Sequence, residues 1–544
     1  MAISPKHGGV SQTRNEATVI LGNLLGDSEV VTEAPETRTV PAVRATLDDL
    51  FCRTLAHRSD ALALIDPPDR LSFTDGPVRR LTYAQADRAI SALAARLRGF
   101  GLPTDAVVAI QLPNTVESVI ALLAVMRAGL IAAPLPMLWR EADATAALSR
   151  VAVRALIGCQ RIGDAAYGDL AIHIAMETFT IRFLCGFGQD LPDGVTPLDD
   201  IFETTGEPPD VARYGEASDH VALVTFDLTA EGIIPVARSH AELIAGGLAV
   251  HLEARIEPGA VILGALAMAS FAGLATMIVP WLLADGTLAL HHPFAPAVFA
   301  AQRADEGCTI AVLPGPMIMR LLEAGLIGGP DAIKTILGVW RASERLTASA
   351  AWPEGSAALV DIPVFGEIGL IAARRGKDGK PTSISTGRLI LPRGAAEGIH
   401  VLDVARTAHG TLALSGPMVP HAPFPPGAER GDTPRLKVTD HTIDTGYPCR
   451  VERETGLMSI DGPPAGIVSV GGYRFALGTL QDLVGGIEDG STLAALPDVL
   501  AGHRLAGAGA DREAICEALL AFGANPLLVA AFRARGASNR ASAA

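Results

Sequence analysis

Apolar residues recur at helical spacing through Ala86, Ile90, Leu93 and Leu97, and predict an amphipathic helix. Thr82 and Gln85 stand ahead of it at capping-box spacing, hydroxyl and amide each able to satisfy a free N–H. Gly99 and Gly101 end it. The pattern then becomes a continuous apolar run, Val107–Ile110, which reads as a buried strand. Asn114 or Thr115 caps a second helix ending near Gly129, and Leu130–Ala133 forms the next strand. This is a strand–helix–strand unit, and Ala155–Gly158 extends the alternation. The expected fold class is α/β: a large N-terminal domain of mostly parallel sheets flanked by helices. From about Thr433 to Ile460 the pattern shortens to strands and turns, and Asp461–Gly466 reads as a linker. A small α+β domain follows. The expected boundaries are a polar arm over 1–46, a large domain over 47–460 and a truncated small domain over 461–544, with a frayed tail from Ala537.

With 544 residues, 49% of them apolar, the chain has material for two or three domains. A net charge of −15 argues against a nucleic-acid or anionic-membrane partner. Pro258–Ala284 is uncharged and long enough to span a bilayer, but Gly264, Gly273 and Pro280 interrupt it, so strand plus buried helix is the better reading. No secretory leader is expected in the polar first residues. Cys52, Cys159, Cys185, Cys308, Cys449 and Cys516 are dispersed without a C-x-x-C pair, which predicts buried reduced thiols and a cytoplasmic location. His291-His292 reads as a surface turn, and no metal site is expected.

Six segments, in order, resemble the adenylate-forming superfamily, which includes acyl- and aryl-CoA synthetases and peptide-synthetase adenylation domains. They are Arg79–Pro136, Val221–His240, Val364–Gly369 (VFGEIG), His409–Val419, Asp444–Val451 (DTGYPCRV) and Gly466–Val484. Together they cover roughly Leu47 to Ala530. The resemblance implies a large AMP-binding-type domain, a mobile small domain, and ATP-dependent activation of a carboxylic acid followed by transfer to a thiol. It places the relic nucleotide site at Thr225, Thr229, Gly232, Phe365, Gly366, Thr445, Gly446 and Tyr447, with Glu367 and Thr445 as relic catalytic candidates.

The polar residues of that chemistry are missing. In TFDLTAEGIIPVARSH, where the resemblance puts a phosphate-gripping loop, Asp227 and Glu231 appear and the lysine is replaced by Ile234. Gly369 stands for the magnesium-binding glutamate, Tyr447 for the ribose-binding aspartate and Pro463 for the hinge arginine. No lysine follows Lys437, so the small domain has no catalytic lysine. A carboxylate about 4 Å from a phosphate charge costs roughly 4 kcal/mol at a surface-like dielectric, so Asp227 and Glu231 should repel polyphosphate. The expectation is a pseudoenzyme that has lost adenylation and needs no cofactor. Its partner is an acyl ligand or acyl-thioester, or a protein such as an active ligase or acyl carrier protein. The alternative is an active AMP-forming ligase using ATP, magnesium and coenzyme A. Ser239-His240 reads as a helix cap rather than a nucleophile and base. Ser415 lies in no G-x-S-x-G elbow, and Cys449 has no evident basic partner beyond Arg450. Ala269 and Ser270 predict a widened apolar cavity, and Pro463-Pro464 a stiffened hinge.

Overall fold

The computed structural model describes residues 44–211, 215–327, 333–392, 398–425 and 434–533. Most of the arm expected over 1–46, and the tail from Ala537, lie outside these residues.

Two large sheets, parallel except at their margins, carry the fold. The nine-stranded one runs from Gly369–Leu370 through Ala358–Phe365, Thr335–Trp340, Ile310–Pro314, Val261–Gly264, Thr287–Leu290 and Leu62–Ile65 to Arg80–Thr82, with Ala373–Arg374 pairing Ala358–Phe365 beside this path. The seven-stranded one runs from Gly232–Ser239 and Val221–Thr229 through Ile131–Pro134, Val107–Ile110, Ala155–Cys159 and Phe183–Phe187 to Val195–Pro197. Helices fill the space beside them and share one large apolar core. Tyr83–Gly99 forms because Thr82 closes the predicted capping box and Ala86, Ile90, Leu93 and Leu97 are all buried. Every residue of Val116–Arg127 is buried, so this helix is enclosed on all sides, with Glu117 and Arg127 held in ion pairs at its two ends. The uncharged run becomes strand Val261–Gly264 and a buried helical stretch over Phe271–Leu283, as its interrupting residues predict. Among the described residues no helix is long and apolar enough to cross a membrane.

A third, six-stranded antiparallel sheet spans Ile384–Ile460. The small domain is a four-stranded sheet ordered Tyr473–Ala476, Ile467–Val470, Gly502–Ala508, Thr492–Asp498. Its helices close a separate core around Phe475, Val484, Leu505, Ile515, Leu528 and Phe532.

Two readings need correction. His291 is buried rather than in a surface turn. Its Nδ1 meets Gln302 Oε1 at 2.9 Å and its ring packs edge-on against Phe299. Cys52 is exposed, although the other described cysteines are buried or partly so and none is in a disulfide.

Candidate functional site: a self-filled nucleotide cradle

Five strands frame the site: β1 (Val221–Thr229), β2 (Gly232–Ser239), β3 (Ala358–Phe365), β4 (Thr442–Val451) and β5 (Tyr473–Ala476). β1 and β2 pair antiparallel from Val221↔Ser239 to Thr229↔Gly232, leaving only Ala230 and Glu231 in the turn. The stretch expected to be a phosphate loop is therefore a tight hairpin. Its backbone N–H groups serve the ladder, and a loop wrapped round phosphates would need them free. The turn is possible because Gly232 takes φ 120°, which residues with a Cβ avoid. Thr225 and Thr229, both nucleotide-site candidates, spend their hydroxyls on Val236 O and Gly232 O within the hairpin. Glu231 lies at the exposed tip near Lys437, 3.5 Å away.

Asp227 points inward and is buried. Its Oδ2 accepts the Glu367 N–H at 3.0 Å, and its Oδ1 accepts the Leu228 N–H at 2.8 Å and pairs with Arg474 Nη1 of β5. Gly366, at φ 59°, brings its backbone so near that an added Cβ would collide with Asp227 Oδ2. The carboxylate thus sits in the cradle after β3 as a built-in anion. Burial works against the Arg474 charge, but Asp227 and the other acidic groups around it outweigh that and hold its proton more tightly than usual.

Glu367 is turned away from that cradle. Its Oε2 accepts the Phe271 N–H at 2.6 Å, at the start of the buried helical stretch, and its Oε1 lies 3.4 Å from Arg341 Nη1. Burial raises its pKa, opposed in part by Arg341. The free N–H at a helix start suits a carboxylate.

Tyr447, standing for the ribose-binding aspartate, is buried. Its ring meets Phe365 edge-on at 5.4 Å, and its hydroxyl accepts the Gly366 N–H at 3.3 Å. Thr445 donates to Leu412 O at 2.8 Å, and Gly446 N–H is taken by Asp444 Oδ1 at 2.9 Å. Phe365, Gly366 and Tyr447 are thus brought together around Asp227, whereas Thr229 and Gly232 serve the hairpin turn and Thr445 ties its strand to Leu412. Two contributors escaped sequence reading. Arg474 lies 247 residues from Asp227, and its only trace was a lone cation in an aromatic strand. Arg238 is fully buried, stacks 3.7 Å above the Phe271 ring, and donates to Ile368 O at 2.7 Å. Burial lowers its pKa to about 10.

At the positions the resemblance assigns to nucleotide and magnesium, other groups stand. A side-chain carboxylate fills the anion cradle, a phenol takes the acceptor's place, and the loop N–H groups are committed. The alternative nucleophiles are also spent. Ser239 caps helix His240–Ala254 by accepting the Glu242 N–H at 3.2 Å, as expected. Burial pushes the Cys449 thiol up, away from a reactive thiolate. Among the described residues, the void beside Ala269 is small rather than widened. Ser270 caps Gly273 N–H, and the void that Ala269 lines with Met268, Leu274 and Leu135 holds about one or two waters.

A family model described as AMP-binding enzyme matches residues 53–180. Beauvericin nonribosomal cyclodepsipeptide synthetase from Gibberella fujikuroi is 33% identical over 90 residues, 16% of this chain and 3% of that protein. The 2-hydroxy-7-methoxy-5-methyl-1-naphthoate–CoA ligase of Streptomyces carzinostaticus is 28% identical over 185 residues, 32% of this chain and 33% of the ligase. The matched segment therefore spans a third or less of these relatives. Among solved structures, the amide bond synthetase McbA from Marinactinospora thermotolerans superposes with TM-score 0.65 at 15% identity, covering 88% of this chain and 94% of that one. An artificially fused adenylation–PCP di-domain from Klebsiella oxytoca gives TM-score 0.61 at 16% identity, covering 88% and 91%. Likeness at such identity speaks to the fold, and the fold is the adenylate-forming one.

Proposed function

We propose that this member of the adenylate-forming superfamily, an AMP-forming acyl- or aryl-CoA ligase-like chain, no longer activates acids with ATP and works as a binding protein. One observation carries the reading: the Asp227 carboxylate sits in the anion cradle beside Gly366, with its charge met by Arg474. A polyphosphate entering there would have to displace a buried ion pair. Losing even one preorganised donor costs an enzyme about 3–4 kcal/mol of transition-state stabilisation, and here the lysine, the aspartate and the open loop are all missing.

The narrow void beside Ala269 favours a protein partner over a bulky acyl ligand. The Klebsiella oxytoca structure joins an adenylation domain to a PCP. A carrier protein or a working ligase is the partner class we assign to this chain, in the cytoplasm. The test is pyrophosphate–ATP exchange with a panel of aliphatic and aromatic carboxylic acids. No exchange above the protein-free background is expected. Acid-dependent exchange would establish an active ligase instead, using ATP, magnesium and coenzyme A.

A further inference from the structure

We propose that Asp227 and Arg474 form an interdomain latch that holds the small domain closed over the large one. The inference deepens the reading above, because it rests on the same self-filled cradle. The pair joins β1 of the large domain to β5 of the small one across 247 residues. Both side chains are buried, at 7% and 11% exposure, so water neither screens nor replaces the contact. Asp227 is preorganised by the N–H groups of Leu228 and Glu367, and this fixes its geometry before Arg474 arrives.

The neighbouring residue on β5 reinforces the closure. Tyr473 Oη accepts the Leu138 N–H at 3.3 Å. Other contacts across the boundary include Arg345 Nη2 to Val499 O at 2.8 Å, Ala142 N–H to Gly523 O at 3.2 Å and a side-chain hydrogen bond between Asp143 and Asn525. Among the ion pairs of the described residues, Asp227–Arg474 is the buried one that joins the two domains. Because each domain has its own apolar core, breaking the pair should release the domains from one another without unfolding either.

The test uses the full chain in three variants, Asp227→Asn, Arg474→Gln and the double variant, with Lys334→Gln at the exposed Lys334–Glu257 pair as control. Backbone amide exchange is followed at Tyr473–Ala476, at the β1–β2 hairpin, and in helix Arg512–Ala521 as a marker of small-domain folding. Each single variant should accelerate exchange at Tyr473–Ala476 by at least tenfold, the helix staying protected. The double variant should accelerate it no further, since the two changes remove one contact. Unchanged exchange at Tyr473–Ala476 in either single variant would overturn the latch, and so would additive effects or uniform acceleration through the helix. The two claims fail separately. ATP-dependent exchange by the wild type would sink the loss of adenylation, whereas protected Tyr473–Ala476 in the variants would sink only the latch.

Discussion

At the scale of single residues, the site is explained by where two carboxylates and one phenol settle. Asp227 takes the cradle, Glu367 takes a helix start, and Tyr447 takes the Gly366 N–H. Shortening Asp227 to serine removes the built-in anion and leaves Arg474 without its carboxylate partner, while Arg341 keeps Glu367 and Arg238 keeps Glu242 and Glu367. Asp227→Ser should therefore gain millimolar or better affinity for inorganic pyrophosphate, measured by calorimetry, where the wild type shows no heat. A silent variant would mean the cradle is closed by more than its carboxylate. His251 supplies a pH test. Burial lowers its pKa to about 4, so the folded chain refuses a proton that the unfolded chain accepts near pH 6.5. The resulting penalty is absent above pH 6.5, grows as pH falls to 4, and reaches on the order of 3 kcal/mol. His251→Leu should flatten that part of the stability profile, measured by denaturant melts at several pH values. His421 has the opposite sense. Its hydrogen bond to Glu242 raises its pKa, so its contribution is present below pH 6.5 and fades as pH rises through the raised value.

At the scale of elements, much was legible and some was not. The segment from Thr82 to Ala133 could be read because its spacing, caps and continuous apolar strands agree with one another. The β1–β2 hairpin was harder. The departures from a phosphate loop were visible as missing glycines and lysine, but the ladder that replaces the loop depends on pairing Asp227 with Ile234 and Phe226 with Pro235. The two-residue turn had one signal, Gly232 after Ala230-Glu231. Gly232→Ala should cost about 1–3 kcal/mol, because alanine at φ 120° is strained. Thermal melts of the full chain would check this, and an unchanged melt would mean the turn adapts. Arg474 was illegible for a different reason: nothing local marks a strand arginine whose partner arrives by domain packing.

At the scale of the whole molecule, two parallel sheets and a small capping domain preserve the adenylate-forming architecture while its polar centre has been turned inward. Scaffold and site are interlocked here, since Phe365, Tyr447 and Ile234, at positions the resemblance assigns to nucleotide handling, belong to the apolar core that sets the fold. The direct measurement is a calorimetric titration of the wild-type chain with ATP and magnesium, up to millimolar nucleotide. The self-filled cradle predicts no binding heat. Saturable binding at micromolar ATP would contradict it, because nucleotide would then be displacing Asp227 from Arg474 at little cost.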